Sequence, residues 1–236
     1  QLMEFIEKYD GDNLILFEVY QNKLDERKKL TKSLKKNAQL KKVEQMSEEE
    51  IKKWIQNKLH ENYKDIKQDA LNLFIELTGI NFNIVSQELS KLMLYIRDRP
   101  TVNKDDVNQI INRSLEQNVF LLTEYIQKGK KDKAIQLLND LITMKEEPIK
   151  LLALITSNYR LYYQSKILEQ KGYSGQQIAK TVSAHPYRVK LALNQARYYQ
   201  LNDLLNIIDS CAETDYKLKS SYMDKQLILE LFILSL

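Results

Sequence analysis

Two stretches of the sequence combine side-chain types that bind nucleic acids. Residues 148–200 contain eight lysines or arginines and a single acidic residue, Glu169, with seven tyrosines among them. Residues 23–42 contain nine basic and two acidic residues. Lysine and arginine pair with phosphates and tyrosine rings stack on bases, so both stretches are candidate contacts for a polynucleotide. The candidate DNA-binding residues in these stretches are Arg188, Lys190, Lys28 and Lys32.

Both stretches also have an interpretation without a ligand. A lysine-rich helix commonly presents a solvated face, and tyrosines at helical spacing commonly lie in a core. Residues 174–197 have the pattern of a helix, a turn and a second helix, which in a DNA-binding helix-turn-helix would enter the major groove. Plain helix packing gives the same pattern, and the sequence leaves both interpretations open. In that turn, we expect His185 to cap a helix or accept a hydrogen bond.

The sequence offers no set of residues for catalysis. The Gly-Lys pair at Gly129 is not followed by Ser or Thr and lacks the earlier glycine of a phosphate-binding loop. The histidines, His60 and His185, are 125 positions apart, and Cys211 is the single cysteine. These residues form neither a nucleophile–base pair nor a metal-binding motif. We therefore expect no catalytic site, metal or cofactor, and a function in binding.

The composition restricts the fold class. The 236 residues include only five glycines and three prolines, too few for the turns of an all-β sandwich or barrel. A hydrophobic content of 43% argues against disorder. No apolar run approaches the roughly 18 residues of a membrane-spanning helix. With Cys211 as the single thiol, no internal disulfide can form, and a reducing cytoplasm is the expected compartment.

The first 46 residues have a mixed pattern. The short apolar run at residues 14–19 is typical of a buried strand. A cationic helix is predicted over about 25–36, and a second strand near 42–45 would complete a β-α-β unit. Two strands do not form a stable sheet alone. We expect this segment to be the end of a domain.

A small helical module is predicted over residues 47–114, here called the N-terminal module. Ser47 and Glu50 form a capping box before apolar residues at helical spacing, and Trp54 shares that apolar stripe. Gly79 is typical of a helix stop. Asn103 and Asp106 are expected to cap a fourth helix.

A larger helical module is predicted over residues 115–236, the C-terminal module. The expected helices are 115–128, 131–144, 148–171, 175–183, 186–199, 201–219 and 223–236. The helix at 148–171 is apolar on most faces and should be central and buried. The closing stretch 227–234 is also apolar and must dock on another surface.

Seven loose motifs follow one another along the chain. They are Leu24-Asp25-Glu26-Arg27-Lys28-Lys29-Leu30, Trp54, Glu88-Leu89-Ser90-Lys91-Leu92, Asn118-Val119-Phe120, Glu147-Pro148, Ile178-Ala179-Lys180 with His185-Pro186-Tyr187-Arg188-Val189, and Asp215-Tyr216-Lys217-Leu218-Lys219. In this order and spacing the sequence resembles the delta subunit of the bacterial DNA polymerase III clamp loader. The resemblance extends over essentially the whole chain.

The resemblance implies a mainly α architecture in three parts. Residues 1–46 are similar to the end of an AAA+-like α/β domain, 47–114 to its small four-helix lid, and 115–236 to the helical collar domain. Delta-like subunits of this family lack a working ATP site. The element with which the family grips the sliding clamp is expected to precede Gln1, so we expect it to be absent from this chain.

The resemblance also implies partners and a role. The chain is expected to assemble through its collar with the delta prime and tau or gamma subunits, and to contact primer-template DNA during clamp loading in DNA replication. It would be non-catalytic by itself, within a holoenzyme that is a DNA-directed DNA polymerase. Tyr222, in the polar link before the last helix, is the favoured aromatic for stacking on template DNA, with local packing as the alternative. The alternative function is an autonomous helix-turn-helix regulator using residues 174–197.

Overall fold

The computed structural model describes residues 4–5, 8–9, 11, 14–19, 24–41 and 45–236. Within these residues it gives the bounds of twelve helices and two short strands. The prediction of a mainly α protein is confirmed. The chain divides into two compact units, residues 1–45 and residues 46–236.

The first unit contains helix α1, Lys29–Asn37. It begins four residues later than predicted, because Asp25 accepts hydrogen bonds from the backbone and the guanidinium of Arg27 and so holds a turn before the helix. Lys35 donates to Glu26 at 2.5 Å across this turn. Lys35 and Lys36 lie in the last helical turn, where positive charge favours the helix dipole.

The strand predicted over residues 14–19 is wrong. These residues have no regular secondary structure, and Leu14 is 95% exposed. A strand forms only where its backbone is hydrogen-bonded to a neighbouring strand, and an apolar run does not by itself supply one. Of the second predicted strand, near 42–45, residues 42–44 lie outside the described residues, and Gln45 is not in a strand.

The N-terminal module has four helices: α2, Glu48–His60; α3, Gln68–Thr78; α4, Phe82–Ile96; and α5, Lys104–Ile110. Both predicted capping boxes are present, at Ser47 with Glu50 and at Asn103 with Asp106. Helix α3 ends at Gly79, whose φ of +72° is a conformation that favours glycine.

A two-residue parallel ladder closes this module. Strand β1, Asp65–Ile66, pairs with β2, Thr101–Val102, and the pairing brings the ends of α2 and α4 together. The Lys64 ammonium donates to the carbonyls of Arg97 and Arg99 at the same end. Trp54 packs against the core only in part, with its ring 4.7 Å from that of Phe82.

The C-terminal module has seven helices, each within three residues of its predicted bounds. They are α6, Leu115–Gln127; α7, Lys131–Thr143; α8, Pro148–Gln170; α9, Gly175–Thr181; α10, Pro186–Ala196; α11, Leu201–Ser220; and α12, Lys225–Ser235. Helix α8 has 23 residues and packs against α6, α9, α10, α11 and α12. The prediction that it is central and buried is confirmed.

The two modules have separate cores. One hydrophobic cluster is built from the N-terminal module, with Tyr187 of α10 added, and the other from residues 119–233. The boundary at 114/115 and the assignment of the parts to AAA+-like, lid and collar domains stay predictions.

A first prediction concerns the cap of α5. Asp106 is buried and accepts hydrogen bonds from the Asn103 backbone, at 2.9 Å, and from the Arg99 guanidinium, at 2.6 Å. We expect Asp106→Ala to lower the free energy of unfolding by about 2 kcal/mol, because both donors lose their acceptor. Urea unfolding followed by the fluorescence of the single tryptophan, Trp54, measures this.

The matched control for this variant is Asp105→Ala. Asp105 lies in the same helical turn but is exposed, so its loss should change the free energy by no more than about 0.5 kcal/mol. Equal effects of the two variants would contradict the role given to the Asp106 cap.

Candidate nucleic-acid interface

Tyr222 lies in a short link whose two ends are fixed. The Ser221 hydroxyl accepts a hydrogen bond from the Met223 backbone at 3.0 Å, and Asp224 caps α12 by accepting from the Leu227 backbone at 2.9 Å. The side chain of Tyr222 is fully exposed, with a relative accessibility of 108%. The aromatic ring is therefore presented to solvent between two hydrogen-bonded turns of the backbone, which suits stacking on a flat partner.

Further basic and aromatic side chains surround this link in sequence. Tyr216, in the last turns of α11, is 72% exposed. Lys217 and Lys225 are exposed, while Lys219 forms an ion pair with Asp215 at 2.6 Å. An exposed ring flanked by lysines is an arrangement that binds single-stranded nucleic acid. Tyr216 was not among the predicted site residues, since the sequence does not show which tyrosines are exposed.

Arg188 and Lys190 both lie on α10 and point in different directions. The Arg188 guanidinium donates to the Asn158 side chain of α8 at 3.4 Å. The Lys190 ammonium pairs with Glu48 of α2 at 3.0 Å. Both side chains remain exposed to solvent. The two predicted DNA-binding side chains thus do not lie together, and each already has a partner within the protein.

The interpretation of residues 148–200 as an aromatic binding surface holds for only part of the set. Tyr159, Tyr162 and Tyr187 are buried, whereas Tyr173 and Tyr198 are exposed. Burial raises the pKa of Tyr159 and Tyr162 well above the usual range, so both stay neutral core phenols. The tyrosines at helical spacing in α8 therefore belong to the core, as the alternative interpretation proposed.

The helix, turn and second helix predicted over residues 174–197 are present as α9 and α10, but the second helix is packed within the protein. Tyr187, Val189 and Ala192 are buried along α10. The His185 Nδ1 atom accepts a hydrogen bond from the Tyr187 backbone, so His185 is the N-cap residue of α10, as expected. A helix buried in this way has limited surface for reading base edges in a major groove.

Lys28 and Lys32 belong to the first unit. Both are exposed on or beside α1, and neither forms an ion pair with a described residue. The nearby carboxylates are paired with other side chains: hydrogen bonds from Arg27 lower the pKa of Asp25, and the hydrogen bond from Lys35 lowers the pKa of Glu26. The two lysines are available to phosphates in the unit described by itself.

An apolar stripe along α12 is a surface that sequence reasoning did not resolve. Met223, Leu227, Leu231 and Leu234 recur every three or four residues and are 44–51% exposed. The opposite face, with Leu229 and Ile233, is buried in the core of the C-terminal module. The sequence signal was the continuous apolar run, but the run alone does not separate the exposed face from the buried one.

The described residues contain neither a metal-binding cluster nor a membrane-spanning helix. Among the described residues, no three His, Cys, Asp or Glu side chains are grouped so that they could hold a metal ion. None of the helices in the described part of the chain has the length and apolar character needed to cross a bilayer.

Two family models match the chain, and both describe the DNA polymerase III delta subunit. The model of the DNA polymerase III delta subunit, C-terminal domain, matches residues 116–236, just over half of the chain. The model of the DNA polymerase III delta subunit matches residues 1–44.

Individual relatives agree with these models. DNA polymerase III subunit delta of Bacillus subtilis (strain 168) is 41% identical over 214 residues, which cover 91% of this chain and 62% of the relative. The "Probable DNA polymerase III subunit delta" of Aquifex aeolicus (strain VF5) is 26% identical over 227 residues, 93% of this chain and 64% of the relative. The chain thus spans less than two thirds of the length of these relatives.

A solved structure matches as well. The Bacillus subtilis DNA clamp loader delta protein superimposes with a TM-score of 0.77 at 38% identity, covering 99% of this chain and 69% of that one. The helical modules described above, the two family models and this structural match lead to one conclusion: the chain belongs to the DNA polymerase III delta-subunit family.

Proposed function

We propose that the chain serves as a non-catalytic subunit of the replicative clamp loader and assembles with sibling subunits through its C-terminal module, as a collar. The single observation that carries the proposal is the exposed apolar stripe of α12 in a chain of the delta-subunit family. The delta prime and tau or gamma subunits are the proposed partners. The compartment we propose is the cytoplasm, where replication proteins of bacteria act.

Exposing the apolar stripe to water is unfavourable. Leu227, Leu231 and Leu234 lie on one side of α12, and Met223 lies just before the helix. All four are 44–51% exposed, while the other side of α12 is already packed. Burying such side chains stabilises a complex by roughly 25 cal/mol for each Å² of apolar surface removed from water. A contiguous exposed apolar surface of this kind marks a site of protein association.

The other parts of the chain take roles consistent with this assembly. We propose that residues 1–46 are the end of an AAA+-like domain and that residues 47–114 are its lid. Contact with the sliding clamp is proposed for the full-length protein. The DNA-facing role falls to Tyr222, with weaker backbone contacts from Arg188 and Lys190, and from Lys28 and Lys32 in the first unit.

A second prediction tests assembly. Sibling clamp-loader subunits from the same bacterium should be captured by the tagged chain. The double variant Leu227→Glu/Leu231→Glu should reduce capture at least tenfold, because charges then face the partner's apolar surface. Co-purification followed by size-exclusion chromatography measures the loss.

The lid-like module supplies the matched control. Leu94 of α4 is also an exposed leucine, at 78%, and Leu94→Glu should leave capture unchanged. Failure of the wild-type chain to capture siblings that assemble with an intact delta subunit would contradict the proposed function. Equal capture by all variants would contradict the assignment of the stripe.

A third prediction concerns DNA. In the reconstituted assembly, Tyr222→Ala should weaken primer-template binding about 5- to 100-fold, the range expected for loss of one aromatic–base stack. Tyr222→Trp should retain binding, because the larger ring also stacks. Fluorescence anisotropy with a labelled primer-template at fixed salt measures the affinity.

Tyr63 provides the control for this measurement. It is a similarly exposed tyrosine, at 95%, in the loop after α2, and Tyr63→Ala should leave the affinity unchanged. Unchanged binding by Tyr222→Ala, or an equal loss in both alanine variants, would contradict stacking by Tyr222. A strong preference for one duplex sequence would instead favour the helix-turn-helix alternative.

A further inference from the structure

Helix α10 contributes side chains to both cores of residues 46–236. Val189 and Ala192 are buried in the core of the C-terminal module. Tyr187 is buried in the core of the N-terminal module, and Leu191 packs against that same core. One helix of eleven residues therefore has one face in each module.

His185 adds a polar link at the start of α10. Its Nδ1 atom accepts a hydrogen bond from the Tyr187 backbone at 3.1 Å, and its Nε2 atom lies 3.0 Å from the carbonyl oxygen of Met46. Because a carbonyl only accepts, the proton of the neutral ring is on Nε2. The same imidazole thus caps α10 and holds the residue that precedes Ser47, the N-cap of α2.

Glu48 and Lys190 form a second polar link beside the first. The Lys190 ammonium lies 3.0 Å from Glu48, which also pairs with Lys52 at 2.8 Å. Partial burial alone would raise the pKa of Glu48, but the hydrogen bonds from Lys52 and Lys190 outweigh burial and lower it. Because Lys190 is exposed, this ion pair contributes little stability, but it links α10 to α2.

Tyr187 is the apolar centre of this contact. Only 8% of the side chain is exposed. Its burial, together with the nearby carboxylates of Glu48 and Glu76, raises the pKa of Tyr187 to about 12. The burial of Tyr187 and its place in the core of the N-terminal module put the side chain inside that module, although the residue belongs to the C-terminal sequence.

The modules are also joined by the chain itself, between α5 and α6. There the Ser114 backbone donates to the carbonyl of Leu77 at 2.8 Å, and Arg113 lies 3.7 Å from Glu76. A single covalent connection would leave the modules free to rotate about it. A second attachment, distant in sequence, removes that freedom.

We propose that α10 is a bracket that makes the N-terminal and C-terminal modules one mechanical body, so that the position of one module sets the position of the other. Tyr187 and His185 are its positioning residues. The proposal does not depend on the identity of any partner, and its failure would leave the proposed function untouched.

The test uses the full chain and two readouts. Trp54, in α2, reports the N-terminal module by fluorescence, and far-UV circular dichroism reports the whole helix content, most of which lies in the C-terminal module. In the wild type the two urea transitions should coincide. In Tyr187→Ala the Trp54 transition should move about 1 M lower and separate from the dichroism transition.

Two variants control this result, and a third tests the bracket independently. Tyr187→Phe keeps the buried ring and should keep the transitions together. Val189→Ala truncates the face of α10 that lies in the other core and should lower both transitions together. His185→Ala serves as a milder second variant, and it should speed amide hydrogen exchange in α2 and α3 at least tenfold while α8 stays protected.

The bracket would be overturned by any of three results. One is a wild-type protein whose two transitions are already separate. Another is a Tyr187→Ala variant in which both transitions shift together, as in Val189→Ala. The third is unchanged exchange in α2 and α3 of His185→Ala.

Discussion

The packing of α8 is the constraint on which the rest of the C-terminal module depends. Helix α8 is apolar on most faces, so it is stable only when several other helices shield those faces from water. Helices α6, α10 and α11 provide most of that cover, with Tyr159 and Tyr162 as the largest buried side chains of α8. Once these helices surround α8, α12 can dock by one face alone. Its other face, including Leu227 and Leu231, remains in solvent. A surface for association is thus a consequence of how the core is filled.

The same packing explains why α10 does not act as a free recognition helix. Side chains of α10 are buried in both modules: Val189 lies in the core of the C-terminal module and Tyr187 in that of the N-terminal module. The polar groups at its start, on His185, are used in capping and in contact with Met46. Arg188 and Lys190 remain exposed on the residual surface, with partners on α8 and α2. Among the candidate DNA contacts in residues 46–236, Tyr222, on the link between α11 and α12, has no such internal role.

Local signals were sufficient to predict most of the helices, whereas features that depend on distant parts of the chain were not. Capping at Ser47 and Asn103 and the stop at Gly79 involve neighbours within three or four residues, and all three are present. The strand predicted at residues 14–19 failed because an apolar run becomes a strand only beside another strand. The β1–β2 ladder was missed because strands of two residues show no periodicity in the sequence.

For the candidate site, the types of residue were readable from the sequence, but the burial of Tyr159 and Tyr162 and the exposure of Tyr222 and Tyr216 depend on tertiary packing. The burial of the two faces of α10 in different modules also depends on tertiary packing.

Hydrogen–deuterium exchange of the free chain and of the reconstituted clamp-loader assembly tests the central claim most directly. Assembly should slow exchange in α12 at least tenfold, because the stripe that carries Leu227, Leu231 and Leu234 becomes buried against a sibling subunit. Exchange in α4 around Leu94 should stay the same in both samples. An assembly that forms normally while α12 exchanges at its free rate would contradict the account.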